Sequence, residues 1–203
     1  MKWRNSRNAY GLIGIVTHWV LAVAIVALFV SGLWMVDLTY YHPWYNRAPD
    51  LHKAFGVLTA VAMAVRLLWR WWDGVPEPAA GVRRWEAAGA SVAHGLMYLG
   101  VFVTAISGYL IVTAKGDPVD VFGVVAIPAV IHDLPRQADT AGAVHYWVAI
   151  ALIALAGLHT MAALKHHVLD RDETLIRMLR AGRTERTSPS SVTSYRSEKR
   201  RSS

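Results

Sequence analysis

The sequence has no cysteine. Structural disulfides, thiolate metal sites, iron–sulfur clusters and covalent c-type haem attachment are thereby excluded. Charge is also scarce: 17% of the 203 residues are Asp, Glu, Lys or Arg, and 14 acids face 21 bases. The excess is apolar, with 54% hydrophobic residues and nine tryptophans. This is the composition of a polytopic membrane protein, one domain by length. A net charge of +7 would suit nucleic acid if it were spread over a fold. It sits instead in the C-terminal tail and in short segments between apolar runs, so membrane lipid is the expected partner and nucleic acid is not.

Four apolar runs, residues 10–36, 51–72, 87–114 and 141–168, each reach the ~20 residues a spanning helix needs. The fold expected is all-α, a four-transmembrane-helix bundle over residues 1–181 with a disordered basic tail over 182–203. The first run is too long for a signal-peptide core and is expected to be retained. Prolines fall in connections, with Pro76 and Pro78 in one and Pro118, Pro128 and Pro135 in the longest, residues 115–140. Seventeen of the 21 bases lie before the first run, at or between runs two and three, or from Lys165 onward. The positive-inside rule therefore places both termini in the cytoplasm. The opposite side carries Arg47, Lys53, Lys115 and Arg136 among six aspartates.

The most informative stretch is Gly142–His167. His145 and His159 stand 14 residues apart, which on a helix is ~21 Å of rise and only about 40° of rotation. Both imidazoles therefore leave one face at two depths. A histidine inside a bilayer is costly and usually functional. His18 matches the depth of His159, and His52 matches that of His145. Two imidazole pairs across a helical bundle form the usual arrangement for two low-spin b haems: an inner one on His18 and His159, an outer one on His52 and His145. The same 14-residue offset leads from His18 to Gly32, whose lack of a side chain would admit the outer haem. It leads from His52 to Arg66, placed near the inner haem's propionates. Gly56 could allow close approach in the same way as Gly32. Taken singly, each histidine could instead hydrogen-bond a neighbour or line a proton path. His94 lies at inner depth and competes with His18, but is expected to hydrogen-bond near a haem edge. His42 and His132 belong to outer loops. His166 and His167 lie at the inner surface, suited to snorkelling or to a quinone head group.

The ordered set Thr17-His18-Trp19, Leu51-His52-Lys53 with Gly56, Val65-Arg66-Leu67-Leu68-Trp69-Arg70, His94, His145, Gly157-Leu158-His159, His166-His167 and Asp172-Glu173-Thr174-Leu175 resembles the bacterial cytochrome b561 family. The resemblance covers about residues 5–180 and includes Lys115-Gly116-Asp117-Pro118 and Phe122-Gly123 of the outer loop. It implies a dihaem inner-membrane cytochrome with haem ligands at His18, His52, His145 and His159. It also implies oxidation of superoxide at the periplasmic face with reduction of ubiquinone in the membrane. A small anion needs local positive charge, for which Lys53 and Lys115 are the candidate residues. Two other classes stay open: an electron-conduit subunit for a periplasmic redox protein or dehydrogenase, and a haem-free transporter.

Overall fold

In a computed structural model, which describes residues 3–79 and 81–181, each apolar run forms one long helix. The helices are α1 (Leu12–Val36), α2 (Arg47–Asp73), α3 (Arg84–Thr113) and α4 (Gln137–Val168), all four long and apolar enough to cross a membrane. Two begin four residues before their apolar runs. Residues 47–50 and 137–140 form polar first turns, with Pro49 in the opening turn of α2 where its missing N–H costs nothing. The expected tail, 182–203, lies outside the described residues.

One side chain from each helix builds the centre. Leu21, Met63, Val101 and Leu152 form a buried cluster, with Ile25, Met97, Tyr98 and Phe102 against it. Leu152 lies seven residues from both His145 and His159, ~10 Å of helix in each direction. The cluster is thus an apolar layer between two histidine levels. α3 packs along α4 and α1 along α2, while α1 and α4 barely touch. The outer faces carry exposed Val20, Val23, Val26, Val61, Val65, Leu99 and Leu158. In water such surface would be a liability; against lipid tails it is the expected exterior, with backbone groups satisfied inside the helices.

Both described chain ends lie at one end of the bundle. The residues before α1 are pinned to the end of α2: Arg4 Nε to Asp73 Oδ1 at 2.8 Å, and the Asn5 N–H to Asp73 Oδ2 at 2.8 Å. Arg7 pairs with Glu77, whose carbonyl also accepts from Arg177 of the short helix α5 (Thr174–Arg177). Lys165 of α4 bridges Glu86 of α3 and Asp170. His166, nearly buried, is held by Asp172 at 2.7 Å. It therefore does not snorkel, whereas His167 is exposed. Burial alone would raise the Asp172 carboxyl, but bonds from Thr174 and His166 outweigh it and hold it below the usual carboxylate range.

The opposite end holds a feature absent from the sequence reading. Within the long loop, β1 (Val119–Val121) and β2 (Val125–Ile127) form an antiparallel hairpin, register Val121 to Val125. Phe122 and Gly123 both take positive φ at its tip, 56° and 71°. Glycine does so freely; Phe122 is held there by its ring, which packs edge-on against Phe55 of α2 at 5.2 Å. The rest of the loop is strapped to α3. Buried Gln137 donates to Leu110 O and Ile131 O, and Tyr109 joins Pro128 O to Val130 N.

Candidate functional site

His52 and His145 face one another below the hairpin end, ring centroids 6.2 Å apart at 67°. Each ring is clamped through Nδ1. His145 Nδ1 lies 2.9 Å from the Thr104 carbonyl and 3.4 Å from Ser107 Oγ; His52 Nδ1 lies 3.2 Å from Ser31 Oγ. The hydroxyl protons of both serines go to backbone carbonyls, Leu28 O for Ser31 and Val103 O or Thr104 O for Ser107. Both hydroxyls are left as acceptors, so the ring N–H donates and Nε2 stays unprotonated, the form that ligates a metal.

Two glycines complete the clamp. A Cβ at Gly108 would sit 3.1 Å from His145 Cε1, and one at Gly32 would sit 3.3 Å from His52 Cε1. Gly32 was expected at this level. Gly108, Ser31, Ser107 and Thr104 were not. A signal existed, because Ser31-Gly32 and Ser107-Gly108 are the chain's two Ser-Gly pairs, each in an apolar run. Gly56 has nothing within 4 Å of a built Cβ and takes no part in the clamp.

The arrangement fits a shared metal. Two imidazoles on one ion need roughly 6 Å between centroids, from two metal–nitrogen bonds of ~2.0 Å and two ring half-widths. The observed separation agrees with that. Thr104 beside it has a buried hydroxyl without a partner among the described residues.

The other level gathers three histidines. His18, His159 and Arg66 lie within electrostatic reach, as do His94, Arg70 and His159. Ring contact joins His159 to His94 rather than to His18, at 4.9 Å and 64°. Arg66 does not run to the surface: its Nη1 donates to Gly14 O and to Thr17 Oγ1, both at 2.7 Å, tying α2 to α1.

The two lysines differ. Lys53 is paired with Asp50 at 2.8 Å. Lys115 is exposed at the start of the hairpin loop, and no described contact joins it to Lys53. His42 and His132 sit in loops at the hairpin end of the bundle; His132 is paired with Asp133.

Four membrane-length helices with clamped imidazoles facing inward suit a helical membrane cytochrome. The chain belongs to the prokaryotic cytochrome b561 family, which matches residues 9–181. It is 42% identical to cytochrome b561 homolog 2 of Escherichia coli K12 over 179 residues, 88% of this chain and 95% of that protein. It is 29% identical over 171 residues to the probable superoxide oxidase CybB of Yersinia pestis, 84% of this chain and 95% of that one. Cytochrome b561 homolog 1 of Escherichia coli K12 is 24% identical over 180 residues, 85% of this chain and 97% of that one. Haem b binding and electron transport follow from the family.

Proposed function

We propose that this cytochrome binds two b haems and carries electrons from superoxide at the periplasmic face to ubiquinone. His52 and His145 hold the outer haem, His18 and His159 the inner. The observation that carries this reading is the 6.2 Å pairing of His52 and His145, clamped through Nδ1 on both sides. At the inner level the 4.9 Å contact of His94 with His159 is shorter than the roughly 6 Å that two imidazoles on one ion need, and His18 is taken as the ligand for its match in depth to His159. When bound, haem b supplies the one-electron couple. The protein's part is to fix ligand tautomers, hold the sites apart by the Leu21–Leu152 layer, and exclude water. Two superoxide anions give two dioxygen molecules; their two electrons, with two protons, convert one quinone to quinol. Support for superoxide as donor is the name of the Yersinia pestis relative and the exposed cation Lys115.

Stopped-flow mixing tests the donor directly. Superoxide is expected to reduce the haems, and added ubiquinone to reoxidise them. Because Asp50 already offsets Lys53, Lys115→Gln is expected to slow haem reduction several-fold and Lys53→Gln less. Salt should slow the wild type, since exposed charges are screened beyond ~8–10 Å. A neutral reductant should ignore both variants. Equal rates for Lys115→Gln and wild type at low salt would contradict steering.

A second reading, an electron conduit for a periplasmic redox protein, is favoured by the Lys53–Asp50 pair and the remaining acids of that face. It predicts haem reduction by the partner but none by superoxide. A haem-free transporter would show no b-type bands on dithionite reduction.

Orientation rests on the basic residues. Arg4, Arg7, Arg70, Arg83, Arg84 and Lys165 lie toward the end that gathers the described chain ends. Reporter fusions at both ends are therefore expected to read cytoplasmic. A periplasmic reading at either end would invert the inner and outer assignments.

A further inference from the structure

Neither Arg66 nor Arg70 is paired with a carboxylate among the described residues, and Arg70 is the one with no hydrogen bond either. It is half-buried in the last turn of α2, and among the described residues it makes no hydrogen bond or ion pair. Eighteen residues at ~100° each, five whole turns, separate it from His52. Arg70 therefore leaves α2 on the face that carries His52 toward His145. It is near enough to act on His94 electrostatically. Arg66, one turn earlier, has already given Nη1 to Gly14 and Thr17.

The carboxylates at this end are taken as well. Asp73 is held by Arg4, Glu77 by Arg7, Glu86 by Lys165 and Asp172 by His166. A half-buried guanidinium on the inward face, with no carboxylate of its own, is free to take an anion. A ligand at this level can supply that anion. A quinone carbonyl is neutral and would leave the charge uncompensated. A planar carboxylate matches the guanidinium fork in two parallel hydrogen bonds.

We infer that Arg70 is the carboxylate-binding residue of the inner site, pairing with a propionate of the haem held at the His18 and His159 level. The inference rests on the two-haem reading above. Arg66, expected from the sequence to meet a propionate, has only Nη1 engaged; it fixes α2 against α1 and keeps the rest of its guanidinium for the same site.

The test uses the purified full chain as wild type, Arg70→Gln and Arg70→Lys. Two readouts resolve the haems: a spectroelectrochemical titration, and haem transfer to a scavenging apoprotein. In Arg70→Gln one haem is expected to leave about tenfold faster or more, the loss of a charge-assisted pair. Its potential should fall, because removing a positive charge favours the ferric form. The other haem should be unchanged. Arg70→Lys should recover the potential while releasing that haem faster than wild type, since it keeps the charge and loses the fork. Wild-type release and potential in Arg70→Gln would overturn the inference. So would a fall in Arg70→Lys as large as in Arg70→Gln, or a raised quinone KM with both haems unaltered. If Arg70→Gln does not accumulate, Arg70→Lys decides: faster release of one haem at unchanged potential supports it, and wild-type release overturns it. Fewer than two haems in the wild type would instead fail the two-haem reading, before any variant is made.

Discussion

On the two-haem proposal, a chain with His145 changed to Ala is expected to carry one haem rather than two, and the spectrum of the survivor should be that of the inner site. His159→Ala should do the reverse. The two histidines leave the same face of α4 with Leu152 midway, and the buried layer around Leu152 separates their surroundings. Loss of one imidazole would remove one of the two residues proposed to hold the haem and leave its partner clamped but alone. The damage should not cross the layer, because His52 is held by Ser31 on α1 and the inner histidines by other neighbours. Haem-to-protein ratio and reduced-minus-oxidised spectra measure it. Two haems in either variant would contradict the pairing. His94→Ala, by contrast, should retain both.

Gly108→Val is expected to strip the outer haem while leaving the fold intact. The Cβ alone would stand 3.1 Å from His145 Cε1 and 3.2 Å from Nδ1, so the ring must give way by a few tenths of an ångström even for alanine. The two further methyl groups of valine add bulk beside a ring already crowded, and the imidazole is expected to swing off the Thr104 carbonyl. Misplacing a ligand's second contact typically costs ten- to a hundredfold in metal affinity, and a displaced ring about that or more. Gly32→Val should act on His52 in the same way but more weakly, since its Cβ would stand 3.3 Å away. Gly89→Ala is the control: nothing lies within 4 Å of its Cβ, and a helical alanine should gain about 0.5–1 kcal/mol. Haem content across the three, set against the thermal stability of each, separates a blocked ligand from a broken bundle.

The spans were legible because about twenty predominantly apolar residues leave a chain few options. The polar first turns of α2 and α4 were not, since an apolar count ignores Arg47–Asp50 and Gln137–Thr140. The hairpin escaped for a different reason. Three-residue strands carry too little alternation to read, and Phe122 is an improbable residue for positive φ until Phe55 is seen beneath it. At the site, helical phase put His52 and His145 at one level, because depth along a spanning helix is simple arithmetic. It could not say which ring touches which at the inner level, where three histidines share the space and His94 lies against His159. Nor could it find Arg66's partners, a backbone carbonyl and a threonine hydroxyl on α1 that have no sequence signature. Lys53 and Lys115 looked alike in the sequence; the ion pair with Asp50 separates them.

The central claim is two bis-histidine b haems in one four-helix chain. The purified wild-type protein, reduced with dithionite and assayed for haem against protein, tests it in one measurement. The account predicts two haems per chain with low-spin b-type bands in both. A ratio of one, or a high-spin component at either site, would contradict it.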